Sequence, residues 1–158
     1  ESNVSSQKEE IEQIEIPEKF RKITVAEDGT ITIPVAACRS PKNGEKIRFM
    51  ESIEGGMQVH YSLPGRRPEL LSYTVDIPKA GKYGFTAHVC TVTVDRQFLL
   101  RVNRRTLVDV DLPFTLADWM DTEPVILDLK EGRNTLNFTL EAPNKGVSIK
   151  QFRLKPMG

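Results

Sequence analysis

Between Ser72 and Val89 the sequence SYTVDIPKAGKYGFTAHV alternates apolar and polar residues on both sides of a Pro-Lys-Ala-Gly break. A period of two places Tyr73, Val75 and Ile77, then Tyr83, Phe85, Ala87 and Val89, on one side of an extended chain, and a helix cannot follow that period. The segment reads as a hairpin with one buried face. The layout recurs in PVILDLKEGRNTLNFTL, where Val125, Leu127 and Leu129 lead into Lys-Glu-Gly-Arg and out through Leu136, Phe138 and Leu140. Gly81 and Gly132 stand where each turn calls for a positive φ. The chain reads as a meander of such units, with Tyr73, Val75, Ile77, Tyr83, Phe85, Val89, Val125, Leu127, Leu129, Leu136, Phe138 and Leu140 in one core.

The remaining strand signals fill in the domain. Ile23 and Val25 precede Glu27-Asp28-Gly29, and Ile31, Ile33 and Val35 follow it, giving a first hairpin. Further strands are read at Ile47 to Met50, after the Gly55-Gly56 break in Gln58-Val59-His60-Tyr61, at Phe98 to Val102 and at Leu107 to Leu112, with a loop from Pro113 to Pro124. Ile149 and Phe152 are three apart and share the core only if a bulge lies between them, so a bulge is expected. About ten closely spaced strands with almost no helix describe an all-β, two-sheet antiparallel β-sandwich. Residues 1–21 are polar and acidic. Ser6-Gln7-Lys8-Glu9 has the form of a capping box for a short helix ended by Pro17. This segment is read as a linker or N-terminal extension, and 22–158 as the sandwich domain.

Composition narrows the function. The 158 residues carry 22 Lys and Arg against 22 Asp and Glu, with no long basic block of the kind that displaces counterions from nucleic acid. No apolar run approaches the roughly 18 to 20 residues of a membrane-crossing helix. No nucleophile elbow, Cys-x-x-Cys or His-Glu-x-x-His motif occurs, and no spacing singles out a carboxylate pair among the many acids. Of the two histidines, His60 and His88, His88 alternates with Val89 and faces away from the core. The reading is therefore not an enzyme. Cys38 and Cys90 stand either as a disulfide or as two reduced, buried thiols.

Three segments carry a resemblance: GGMQVHY (Gly55 to Tyr61), YTVDIPKAGKY (Tyr73 to Tyr83) and WMDTEPVILDLKEGRNTL (Trp119 to Leu136). Together they resemble carbohydrate-binding modules of the galactose-binding-like, jelly-roll β-sandwich type, families six and thirty-five, over roughly Thr30 to Pro156. The resemblance implies a non-catalytic module that recognises a polysaccharide or oligosaccharide. It also implies attachment to other domains of a longer carbohydrate-active parent and an extracellular, periplasmic or cell-surface location. The alternative is a structural or protein-interaction sandwich without sugar binding, since one fold hosts unrelated functions.

Sugars stack C–H patches on aromatic faces and need polar partners for their hydroxyls. Trp119, the only Trp, lies between acids in Asp118-Trp119-Met120-Asp121; it is read as the stacking ring or as a plug at the sandwich end. Tyr61 matches the position of a binding-cleft tyrosine in the resembled modules and is otherwise an inward strand aromatic. Asn144, in Pro143-Asn144-Lys145-Gly146, matches a sugar-bonding Asn and is also a good turn residue. The resembled modules carry a structural calcium held by first-strand glutamates and a late Asp. Here Val35, Ala36 and Ala37 occupy the first strand and Lys150 the last, so no metal or other cofactor is expected.

Overall fold

A computed structural model describes residues 11–61, 70–91, 96–116, 118–140 and 147–158. The alternating segments form twelve strands: β1 (Thr24–Val25), β2 (Ile31–Pro34), β3 (Ile47–Glu51), β4 (Met57–Tyr61), β5 (Leu71–Ile77), β6 (Gly81–Cys90), β7 (Arg96–Val102), β8 (Thr106–Leu112), β9 (Trp119–Asp121), β10 (Val125–Leu129), β11 (Gly132–Leu140) and β12 (Val147–Pro156). The long strands β6 and β12 pair antiparallel, Cys90 to Tyr83 against Ser148 to Pro156. Each offers its outer edge to two short strands placed end to end. β4 and β2 line β12, and β9 and β10 line β6. With β3 beyond β4 and β1 beyond β2 this makes an eight-stranded sheet, facing a four-stranded sheet of order β5-β11-β7-β8.

The two patterns that most resemble hairpins are not hairpins. β5 belongs to the four-stranded sheet and β6 to the eight-stranded one, and β10 and β11 divide in the same way. Each pair is joined by an arch across the sandwich, and the arches lie side by side: Ile77 faces Gly132 across β5 and β11, and Gly81 faces Leu129 across β6 and β10. Alternation states which side of a strand is buried but not which strand is its neighbour. An arch turns both apolar sides toward each other through the core, and a hairpin would have set them side by side. The β10–β11 arch is held by Asn134, fully buried, whose Nδ2 donates to the carbonyls of Lys130 (2.8 Å) and Gly132 (3.0 Å). Its Oδ1 accepts from Lys130 N (3.2 Å) and from Asn103 Nδ2 (2.9 Å). Gly132 has the φ of 91° that this turn requires, a region open to glycine at little cost.

The first hairpin forms as read, with Thr24 opposite Thr32, although Val25 faces solvent. The bulge also occurs: the register of β12 against β6 shifts between Ile149 and Gln151, and both Ile149 and Phe152 are buried. Of the expected core, Val125 is half-buried against the rest, and the side chain of Leu140 lies outside the described residues. The others are buried. Residues 11–17 are not helical, and Glu18–Arg21 forms a 3-10 turn. This segment packs on the sandwich: Ile16 and Phe20 touch the core, and Gln13 and Asn43 exchange side chain–backbone hydrogen bonds of 2.7 and 2.8 Å. Among the described residues no helix is long and apolar enough to cross a membrane.

At the centre, Tyr73 (β5), Phe85 (β6), Phe138 (β11) and Phe152 (β12) form one aromatic cluster. Phe138 and Phe152 stack at 4.4 Å and 3°, and Tyr73 meets both edge-on at 5.5 and 5.3 Å. Each sheet contributes two of these rings, so the cluster joins them. Replacing Phe138 with Ala is expected to cost about 3 to 5 kcal/mol in denaturant unfolding, because the cavity opens where both sheets meet.

Candidate functional site

Because side chains alternate, fixing Phe85, Ala87 and Val89 inward turns Thr86, His88 and Cys90 outward, onto the solvent side of the eight-stranded sheet. The register builds rows across that face. His60, Ser148, Cys90 and Trp119 stand opposite one another on β4, β12, β6 and β9, and one step along lie Gln151, His88 and Asp121. Trp119, half-buried, lays its ring over that of His88 at 5.5 Å and 14°. His88 Nδ1 lies 2.8 Å from Asp121 Oδ1, and its Nε2 lies 3.0 Å from Glu54 Oε1. Lys150 Nζ donates to the Glu54 carbonyl at 3.2 Å and lies 3.7 Å from its carboxylate. The result is an aromatic platform with carboxylates and an ammonium at its rim.

Both nitrogens of His88 are committed to carboxylates, which hold the ring in plane rather than aim it at a nucleophile. His60 sits 3.2 Å from Ser148 Oγ through its Nδ1, and burial lowers its pKa below the usual imidazole value. Among the described residues no carboxylate stands behind it, so this pair lacks the orienting third group of a hydrolytic triad.

The loop before Trp119 is tied down locally. Thr91 N donates to Thr115 Oγ1 (2.9 Å), Thr115 Oγ1 donates to the Thr91 carbonyl (3.0 Å), and Thr91 Oγ1 donates to the Pro113 carbonyl. This clamp fixes the chain that leads into β9, a strand missed in the sequence because three residues give too short a pattern. It leaves Phe114 and Leu116 exposed in the chain ahead of β9.

Of the three residues singled out from sequence, the structure places only Trp119 on this face. Tyr61 is a correction. It is 2 % exposed, since it shares the parity of Met57 and Val59 on β4 and points inward with them; its neighbour His60 faces out. Asn144 lies outside the described residues. Sequence reasoning missed Glu54 and Asp121, which reach His88 only in the folded domain, and Lys150, which reaches Glu54; none carries a local signal.

Calcium does not fit the position where the resembled modules hold it. Val35–Ala37 is a 3-10 turn with Val35 and Ala36 buried, and its surroundings already hold a cation. Arg21 Nε donates to the Ala36 carbonyl at 3.0 Å, and another guanidinium nitrogen donates to the Cys38 carbonyl at 3.3 Å. Among the described residues no three His, Cys, Asp or Glu side chains converge on a metal position. A divalent ion would meet a like charge and occupied carbonyls. Excess calcium and chelator should therefore give the same thermal midpoint, as nothing binds selectively to the folded state; a shift of many degrees would contradict this assignment.

Cys38 and Cys90 are free thiols. Burial pushes the Cys38 pKa up to about 11, leaving almost no reactive thiolate at neutral pH. Cys90, half-buried on the outer face, should react with a thiol reagent in the native protein. Cys38 should react only after unfolding, as mass spectrometry of the modified peptides will show.

No protein-family model and no curated protein matches the chain. Solved structures do. The chain is similar to the C-terminal family 6 carbohydrate-binding module of a marine laminarinase from Zobellia galactanivorans, with TM-score 0.65 and 18 % identity, over 80 % of this chain and 98 % of that one. It is similar to a family 6 carbohydrate-binding module from Clostridium cellulolyticum determined with xylose, with TM-score 0.60 and 18 % identity, over 77 % and 93 %. It also matches a mannanase from Podospora anserina that carries a family 35 module, with TM-score 0.66 and 13 % identity, over 83 % of this chain but 28 % of that one. The twelve strands thus assemble the two-sheet β-sandwich fold of the family 6 and family 35 carbohydrate-binding modules.

Proposed function

We propose that this chain is a non-catalytic carbohydrate-binding module that recognises a polysaccharide or oligosaccharide on the outer face of its eight-stranded sheet. The observation that carries this reading is the placement of the only Trp. Trp119 lies on the solvent side of the sheet, stacked on His88 between Asp121 and Glu54, where a core aromatic would lie between the sheets. A ring with carboxylates and an ammonium at its edge offers a sugar both the apolar face and the hydrogen-bonding partners it needs. Trp119 is the stacking ring in this reading, and Asn144 a polar partner. The similar Clostridium cellulolyticum module was determined with xylose, and one from Clostridium stercorarium with cellobiose.

Attachment to a longer carbohydrate-active parent belongs to the same proposal. It is supported by the chain's matching 28 % of the Podospora mannanase and 23 % of an Arthrobacter globiformis isomalto-dextranase. Tethering would raise the local concentration of a catalytic domain at its substrate. The proposed location, that of a parent acting on polysaccharide outside the cell, is extracellular, periplasmic or at the cell surface. The exposure of Phe114 and Leu116 in the chain ahead of β9 favours one second reading, a sandwich that docks another protein domain.

Titration calorimetry against neutral oligosaccharides tests the first reading. Dissociation constants of about 1 μM to 1 mM are expected for a shallow site. Trp119→Ala should remove the binding while costing less stability than the about 3 to 5 kcal/mol of a core aromatic. Retained binding in that variant, or a core-sized loss of stability, would remove Trp119 as the sugar ring.

A further inference from the structure

Along the same outer face, away from Trp119, a groove of about 400 Å³ opens between β12, β6 and the residue before β10. Its floor is Gly84, opposite Lys155 on one side and Ile126 on the other, with the ladder unbroken. Gly84 is not among the positive-φ residues, so its backbone does not call for glycine. In a strand interior glycine weakens the strand and marks a bulge, a bend or the close approach of another group. The regular register leaves close approach. A Cβ built there would point at Met157 Sδ, 3.6 Å away, and at Pro124 Cβ, 3.9 Å away, so any longer side chain would fill the space between those two walls.

The chemistry of the lining is one-sided. Arg153 and Lys155 project from alternate positions of β12, and Thr30 and Thr86 add hydroxyls; no Asp or Glu lines the groove. Lys155 acts electrostatically on Asp28, which lies outside the lining. Arg153 is exposed and has no hydrogen-bond or ion-pair partner among the described residues. Across the same face Lys82 is neutralised by Asp128 at 2.9 Å, whereas Arg153 has no such carboxylate among the described residues. Gly84 lies four residues along β6 from His88, or about 13 Å at strand rise, which is within reach of one oligosaccharide lying over both.

We infer that this groove is a subsite for an anionic sugar unit, its carboxylate or sulfate held by Arg153 and Lys155 and its ring seated over Gly84 between Pro124 and Met157. The inference rests on the reading of this face as a saccharide surface and deepens it by naming the ligand class. The guanidinium fork suits either oxyanion, so the test carries an arm for each.

The experiment is amide NMR titration of the full chain with tri-galacturonate, with a sulfated carrageenan tetrasaccharide and with neutral cellotriose, at low and high salt. At least one acidic probe should move the Gly84 and Thr86 amides, with affinity roughly tenfold above that of cellotriose and weakened by salt. Which acidic probe binds identifies the oxyanion. Arg153→Ala should abolish that preference and leave cellotriose binding unchanged. Gly84→Ala, whose Cβ would stand in ordinary contact with Met157 Sδ, should keep the unfolding midpoint and weaken the acidic probe by raising the floor of the groove. Cellotriose binding near Trp119 with no acidic preference, or an Arg153→Ala variant that behaves as the parent, overturns the anionic subsite alone. Failure of every probe to bind overturns the saccharide reading of the face as well.

Discussion

The stack of Phe138 on Phe152 is the contact on which the rest of the molecule depends. Phe138 belongs to one sheet and Phe152 to the other, and their rings lie 4.4 Å apart and nearly parallel, with Tyr73 and Phe85 closing the cluster from each side. Tyr73 also donates its hydroxyl to the Val35 carbonyl at 2.6 Å, which ties the turn after β2 to the same centre. Once Phe85 and Phe152 are locked inward, pleating dictates that His88, Thr86 and Arg153 face out. The outer face of the eight-stranded sheet is therefore the reverse side of the core, and its geometry is inherited from ring packing that it never touches.

Charge along that face is segregated in a way that total composition conceals. The chain is formally neutral, yet Glu54 and Asp121 gather around His88, whereas Arg153 and Lys155 line a groove without acids. A ligand laid along β6 would meet carboxylates and the Lys150 ammonium at one end and two cations without a carboxylate in the lining at the other. Neutrality excludes long-range steering of the whole molecule, but leaves a local field at each end.

How much of this was legible in the sequence depended on whether the information was local. The inward residues of β5, β6, β10 and β11 follow from a period of two, and the bulge in β12 from the three-residue spacing of Ile149 and Phe152. Strand partnership did not follow, because Pro-Lys-Ala-Gly and Lys-Glu-Gly-Arg serve an arch as well as a hairpin; what holds the second arch is Asn134 with Asn103, 31 positions apart. Tyr61 had a readable parity with Met57 and Val59 that outweighs its resemblance to a cleft tyrosine. The partners of His88 come from positions 54 and 121, and Lys150 joins them through Glu54; only the folded domain brings them together.

The central position of β12 has a consequence for the birth of the molecule on the ribosome. β12 spans Val147–Pro156 and pairs with β2, β4 and β6, so the strand that closes the larger sheet is made after all the strands it joins. Until it emerges, three earlier strands present open edges, and open edges invite pairing with other chains. The nascent domain must therefore wait, unfinished and adhesive, for its final segment, and chaperone dependence during synthesis should exceed anything its native surface suggests.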